Sequence, residues 1–341
     1  MTTTPTRSLP AALETGRAIL GPSLRDAVRA HLGPEMARIA DYHFGWADAA
    51  GRPTGSWGGK MVRPTLALLS ARAAGAAVAD GLPAAVAVEL VHDFSLLHDD
   101  IMDGDETRRG RATAWTVFGV PSAVLAGDAL LTAATSALLT APAAGARSAT
   151  VSLMTATRRM IDGQAADVGF ERRDDVTPAE CLRMAGDKTG ALLGCACSLG
   201  AELVGAGRTL VAGLGAFGEH IGLAFQLVDD LLGIWGDPAS TGKQVGADLR
   251  VRKKSLPVVA ALDAPGTDEL RSLYRRPEPL TERDVRRVTD LVERAGGRDW
   301  ARDEAARRLA AAEECLAAAG IPDDVCGEFL EIAGFVVGRR L

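Results

Sequence analysis

The sequence predicts an all-α bundle, and three observations carry that expectation. Alanine and leucine dominate while aromatic residues make up only 4%, a balance that favours helix. Apolar residues recur at helical spacing in stretch after stretch, and no alternating run of useful length reads as a strand. Two strongly apolar stretches, 84–103 and 210–235, each carry an adjacent pair of aspartates, Asp99-Asp100 and Asp229-Asp230. Sites in helical bundles are built from side chains on facing helices, so these two helices are expected to face each other across a cavity.

The bulk properties bound the rest. With 341 residues, 47% of them hydrophobic, the chain suffices for one large domain or two small ones. The expectation is a single all-α domain over 21–341, behind a polar, disordered segment 1–20 that contains Pro5 and Pro10. The formal charge is −6, from 38 basic and 44 acidic residues, which argues against a nucleic-acid partner. The five cysteines are odd in number and lack metal-finger spacing, so they read as reduced thiols of a cytoplasmic protein. Residues 1–10 lack the apolar core of a secretory signal. The uncharged run 129–146 contains Pro142 and reads as a buried helix plus turn, so no transmembrane segment is expected.

In chain order, Leu24, Val28, Leu32, Met36 and Ile39 place a helix over 24–47. The Gly-, Pro- and Ser-containing stretch 48–59 is a loop that delivers Lys60 and Arg63 to the start of the next helix, with Pro64 in its first turn. Residues 84–103 form the first aspartate helix. Gly104 and Gly110 bracket the loop that follows, which turns from acidic to basic. A helix starts at Pro121-Ser122, and another spans 147–168. Thr177-Pro178 opens a helix running to about 205, with Thr177 as N-cap. The second aspartate helix, 210–235, precedes a loop over 236–248 that holds Lys243. Ser255-Leu256-Pro257 starts a further helix, and the remainder, without a chemical motif, is structural.

The chemistry concentrates at the two aspartate pairs. His92, Leu96, Asp99 and Asp103 share one helix face. Clustered carboxylates repel one another and need water or a cation. Hard oxygens one turn apart suit Mg²⁺, usually completed by substrate phosphate oxygens. Arg108 and Arg109 follow as natural phosphate partners. A run of acids and then bases also describes a solvated helix end. The second aspartate pair, with Lys188, Lys243, Lys253 and Lys254 in the same part of the chain, favours a metal–diphosphate site. No dinucleotide fingerprint, P-loop or nucleophile motif occurs.

These residues resemble the trans-isoprenyl diphosphate synthases of the polyprenyl synthetase family. The first aspartate-rich motif of that family resembles Asp99, Asp100 and Asp103 with Arg108 and Arg109; the second resembles Phe225, Gln226, Asp229 and Asp230. Gly59-Lys60, Arg63-Pro64, His92, Lys188-Thr189, Lys243 and Lys253-Lys254 follow the family's lesser motifs, so the likeness covers about 59–257. It implies the isoprenoid synthase-type helical bundle, a homodimer, and three Mg²⁺ ions. It implies condensation of isopentenyl diphosphate with an allylic prenyl diphosphate. Asp99, Asp103 and Asp229 would ligate metal, with Asp100 and Asp230 beside them. Arg108, Lys188, Lys243 and Lys253 would clamp the allylic diphosphate, near Thr189 and Gln226. Lys60, Arg63, His92 and Arg109 would hold isopentenyl diphosphate. Gln164 and Asp167 either support the site or are ordinary polar residues of their helix, and the register of Lys253 against Lys254 stays open.

Two departures from the family pattern stand out: Gly233 replaces the third aspartate of the second motif, and Met61 replaces a common basic residue. Phe94 and Ser95, five and four residues before Asp99, resemble the pattern that goes with a twenty-carbon product, geranylgeranyl diphosphate. Two other readings remain. A class I terpene cyclase would share the fold but has no use for Lys60, Arg63 and His92. A non-catalytic synthase subunit would be expected to lose aspartates of the first motif.

Overall fold

The computed structural model describes residues 9–55, 59–237 and 245–338. The chain divides into two compact units. The first comprises residues up to 155 with 195–212 and 320–332; the second comprises 156–194, 213–319 and the residues from 333 on.

The first unit opens with α1 (Ala11–His31) and α2 (Pro34–Phe44). Helix therefore covers half of the segment expected to be disordered. Leu13, Gly16 and Leu20 are buried, and burying an apolar stripe of that spacing favours helix over disorder. Residues 1–8 lie outside the described residues. The helix expected over 24–47 is broken at Leu32-Gly33, because Pro34 pushes the preceding residue into extended backbone (Gly33 ψ 159°). Then come α3 (Val62–Ala73), a 3₁₀ turn, and α4 (Leu82–Met102), the first aspartate helix. A small hairpin, β1 (Thr107–Arg108) and β2 (Arg111–Ala112), follows. It was not expected, since two-residue strands leave no alternation to detect. After it run α5 (Ala114–Phe118), α6 (Val120–Leu139) and the start of α7 (Ala146–Phe170). Helix α4 packs between α3 and α6 and is buried nearly all round, with Val86, Val88, Leu90, Val91 and Leu97 in the core.

The second unit carries α8 (Pro178–Ala185), whose Thr177 cap is as expected. The Thr177 hydroxyl accepts the Glu180 N–H at 3.3 Å, and the Glu180 carboxylate accepts the Thr177 N–H at 2.9 Å. The helix expected to run on to about 205 is interrupted by a π turn, Gly186–Gly190, before α9 (Ala191–Leu203), whose residues from Cys195 on belong to the first unit. Next are α10 (Arg208–Trp235), the second aspartate helix, and the short α11 (Ala247–Arg250). The helices α12 (Leu256–Asp263), α13 (Asp268–Arg275), α14 (Glu282–Arg294) and α15 (Gly297–Ala318) follow, and then α16 (Asp323–Val337), whose residues up to Ile332 belong to the first unit. Ile234, Leu249, Val258, Leu270, Val285, Val288 and Val292 form the core beneath α10 and α12. Helices α6 and α10 are long and apolar enough to cross a membrane by length and composition; α6 packs on α4, and α10 carries the second aspartate pair.

The π turn is held by close backbone packing. A Cβ at Gly163 of α7 would lie 2.3 Å from the Lys188 backbone nitrogen, and one at Gly222 of α10 would lie 2.7 Å from Gly190 Cα. Arg159 of α7 adds a clamp, donating to Asp187 at 2.8 Å and to Glu219. A π turn departs from regular helical spacing, and here Lys188 and Thr189 lie within it. Gly163→Ala is expected to destabilise the protein by about 1–3 kcal/mol through overpacking, measured by urea denaturation; an unchanged midpoint would show that the turn can yield.

Candidate active site

Adjacent residues on an α-helix point about 100° apart. Of the first pair, Asp100 is therefore buried, with 1% exposure, when Asp99 is half-buried and Asp103 is exposed. A buried carboxylate needs a partner. Arg108 supplies it, donating Nε to Asp100 Oδ1 at 2.7 Å, with Nη2 also 2.7 Å away. The hairpin positions Arg108: Arg108 pairs with Arg111 across the strands, and Arg109 and Gly110 form the turn with φ of 52° and 74°. Two positive φ values in a two-residue hairpin are the type I′ geometry, which Gly accepts without strain and Arg does not.

The second basic group gathers in the same unit. A Cβ on Gly59 would stand 3.4 Å from Arg109 Nη2, so the loop bearing the exposed Lys60 runs beside Arg109. Arg63 Nη1 lies 3.3 Å from His92 Nε2. Arginine only donates, so His92 Nε2 accepts and its proton sits on Nδ1. Burial, reinforced by the charges of Arg63 and Arg109, holds the His92 pKa well below the usual range, leaving a neutral imidazole. Met61 is buried with φ 55° and its carbonyl accepts the Thr65 hydroxyl at 2.7 Å, a core role rather than a phosphate contact. Phe94 is buried edge-on to His98, centroids 4.8 Å apart, and the Ser95 hydroxyl donates to the His92 carbonyl at 2.7 Å.

Three acid–base residues here escaped the sequence reading. Glu89 and Asp93 are buried on α4, and His43 Nε2 lies 3.1 Å from Asp93 Oδ1. Burial and then the Asp93 charge push the Glu89 carboxyl up to about 8, against the pull of Arg63 and Arg109. Two carboxylates one turn apart in an apolar helix were a visible signal; His43, fifty residues away in sequence, gave none. A cavity of about 210 Å³ opens beside this group, lined by Tyr42, His43, Asp100, Arg108, Arg109 and Arg111 among others.

The second aspartate pair repeats the logic of the first. Asp230 is buried at 3% exposure and Asp229 is exposed. Asp230 accepts from Gln226 Nε2 at 2.9 Å and from the Leu256 backbone N–H at 2.9 Å, with Lys253 Nζ 3.5 Å away. Burial raises the Asp230 pKa despite these partners, and Asp230 in turn holds the Lys253 ammonium well above its usual range. Lys254 instead sits 3.9 Å from Asp174 and over the Tyr274 ring. The register left open by the sequence is thereby closed: Lys253 faces the aspartates. Thr189 donates to Gln226 Oε1 at 2.9 Å, and Lys188 Nζ to Asp167 Oδ2 at 2.5 Å. Asp167 is thus the counter-ion of Lys188, while the Gln164 amide oxygen is buried without a hydrogen-bond partner among the described residues. Lys243 lies outside the described residues.

Among the described residues, no three His, Cys, Asp or Glu side chains close around a metal ion by themselves. The donor set still fits Mg²⁺. Its oxygens are hard, Asp99 and Asp103 stand one turn apart, and Asp100 Oδ2 is buried without a hydrogen-bond partner among the described residues. A cation that keeps waters and takes substrate oxygens asks for no closed protein cage.

A mostly helical fold thus carries two paired-aspartate turns, with Arg108 beside the first and Lys253 beside the second. The family model of polyprenyl synthetase matches residues 46–292. The "(2E,6E)-farnesyl diphosphate synthase" of Mycobacterium tuberculosis is 44% identical over 98% of this chain and 94% of its own length. The "Geranylgeranyl diphosphate synthase" of the same organism is 46% identical over 97% and 93% respectively. The crystal structure of polyprenyl synthetase from Streptomyces coelicolor A3(2) superposes with a TM-score of 0.91 at 52% identity, covering 97% of this chain and 100% of that one. The chain belongs to the polyprenyl synthetase family and is a trans-prenyltransferase, with the isoprenoid synthase helical fold.

Glu89 makes stability depend on pH. Its carboxyl ionises near 4.5 ordinarily but near 8 in the folded protein, so the folded chain holds a proton that the unfolded chain loses. The stability this proton contributes is full below the lower value and disappears as pH rises through the higher one. Wild type is expected to lose stability relative to Glu89→Gln between about pH 5 and about pH 9, followed by denaturation at each pH. A constant difference would mean that Glu89 is ionised in the folded protein.

Proposed function

We propose that this enzyme is a Mg²⁺-dependent, short-chain trans-prenyl diphosphate synthase whose main product is geranylgeranyl diphosphate. The observation that carries the site assignment is the shared design of the two aspartate turns. In each, the inner aspartate is tied to protein cations or amides, Asp100 to Arg108 and Asp230 to Gln226, Lys253 and the Leu256 N–H. The outer aspartates, Asp99, Asp103 and Asp229, lie nearer solvent and are the metal ligands, for three ions in all.

Mg²⁺, when bound, neutralises the diphosphate and favours its departure. Arg108, Lys188, Lys243 and Lys253 clamp the allylic diphosphate, with Thr189 and Gln226 hydrogen-bonding nearby. Their charges stabilise the negative charge that grows on the leaving group as the allylic carbon–oxygen bond ionises. Lys60, Arg63, His92 and Arg109 hold isopentenyl diphosphate, whose double bond attacks the allylic cation before a proton is lost. The neutral His92 offers one N–H without adding charge, and apolar walls keep water from quenching the cation. The relatives' names cover both fifteen- and twenty-carbon products at similar identity, so product length rests on Phe94. Its buried ring on α4, five residues before Asp99, is the floor against which the growing tail stops. The enzyme is a cytoplasmic homodimer. The exposed Val120, Leu125 and Leu139 of α6 and Val151 of α7 support the dimer, and the free cysteines support the cytoplasm.

Incubation of the pure protein with Mg²⁺, isopentenyl diphosphate and five-, ten- or fifteen-carbon allylic diphosphates is expected to give a twenty-carbon diphosphate. Phe94→Ala is expected to lengthen it by at least one isoprene unit, read by chromatography of the dephosphorylated products. A fifteen-carbon end product, or an unchanged length in Phe94→Ala, would remove Phe94 as the floor.

A further inference from the structure

Among the described residues, three that are not glycine hold a positive φ: Met61, Arg109 and Arg252. Each lies at a cation assigned above to a diphosphate. Met61 follows Lys60, Arg109 is itself such a cation, and Arg252 precedes Lys253. Left-handed backbone is costly for a residue with a Cβ, so its surroundings have to hold it there. At Arg252 the end of α11 makes the demand. The helix stops with Val251 as its C-cap. The Arg252 N–H then donates to the Leu249 carbonyl and the Lys253 N–H to the Asp248 carbonyl, both at 2.9 Å. This pair of bonds is the Schellman turn, whose first residue past the cap is left-handed and usually glycine. Arg252 takes that place at φ 51°.

The Arg252 side chain supplies what glycine could not. Its Nε donates to the Leu273 carbonyl at 3.3 Å and its Nη2 to the Glu278 carbonyl. Leu273 lies in the last turn of α13, where helical carbonyls lack partners within the helix. The guanidinium therefore pins the turn to the end of a second helix. Lys253 leaves the turn with Nζ 3.5 Å from Asp230 Oδ1 and 3.7 Å from Asp248 Oδ2, while Lys254 is directed to Asp174. We propose that Arg252 is a positioning residue of the diphosphate site: its bonds to the end of α13 hold the left-handed turn that aims Lys253 at the allylic diphosphate. The assignment rests on the role of Lys253 proposed above. Shortening Arg252 to alanine removes the anchor and keeps the strain, so the turn opens and the Lys253 ammonium loses its aim. Glycine removes the anchor and the strain together, so the turn stays closed.

In the rival assignment the carboxylates of Asp230 and Asp248 aim Lys253 unaided, and Arg252 only stabilises the fold. Titration calorimetry in Mg²⁺ with a ten-carbon allylic S-thiolodiphosphate, which resists ionisation, separates the two without relying on turnover. Arg252→Ala is expected to weaken binding of this analogue at least about fivefold, and Arg252→Gly to stay within about twofold of wild type. Affinity for isopentenyl diphosphate is expected to be unchanged in both. In a Lys253→Gln background, Arg252→Ala is expected to add less than about twofold, because the two residues act as one unit. Circular dichroism checks that each variant folds. Three results would each overturn the proposal: wild-type affinity in Arg252→Ala, an Arg252→Gly as weak as Arg252→Ala, or an undiminished loss in the Lys253→Gln background. Lys253→Gln alone is the control for the underlying reading. If it binds the analogue like wild type, the role of Lys253 falls as well. If it is impaired and Arg252→Ala is not, only the Arg252 assignment falls.

Discussion

Asp99-Asp100 and Asp229-Asp230 lie on largely buried helices, where one residue of each pair has to point inward, and much of this structure follows from that constraint. One turn of helix sends Asp99 outward and Asp100 inward, and likewise Asp229 and Asp230. A carboxylate carried inward is costly unless it is bonded, so each inner aspartate recruits a partner from a separate segment. Asp100 recruits Arg108 through a six-residue hairpin whose turn places Arg109 at a positive φ. Asp230 recruits Lys253 and the first N–H of α12, that of Leu256. The hairpin after α4 is thereby anchored to the first aspartate helix, and Lys253 and the start of α12 are anchored to the second.

The cations are constrained by the same rule in reverse. Lys188 is held by Asp167, and Arg63 lies in the field of Glu89 and Asp93. Each is a charge oriented by its neighbours, the condition that electrostatic stabilisation without reorganisation requires in the proposed reaction. Neutral His92 and the protonated tendency of Glu89 limit the net charge that has to be buried on α4. In the other unit the π turn serves the same end by geometry. It offsets Lys188 and Thr189 from a regular helix and lets Thr189 reach Gln226.

Membership of the polyprenyl synthetase family accounts for the chemistry but leaves product length to a few side chains. Relatives of nearly equal identity carry names with different products. A chain-length floor is a packing property, set by the volume of one or two residues in an apolar channel, and a single methylene is felt there. Overall similarity, averaged over more than 300 residues, is insensitive to it.

The sequence by itself determined the helical class, the two aspartate helices and most of the cations around them. Those features are written in local periodicity and in motifs whose residues are neighbours along the chain. It missed the helix over 11–20 and the π turn. In the first, burial overrides a polar, proline-flanked composition. In the second, close backbone contacts at Gly163 and Gly222 impose the turn from outside. Only the tertiary structure decided that Lys253, not Lys254, faces the aspartates, that Asp167 belongs to Lys188, and that His43 meets Asp93. Periodicity reports which way a residue points along its own helix; what fills the space beside it is set by segments distant in the chain.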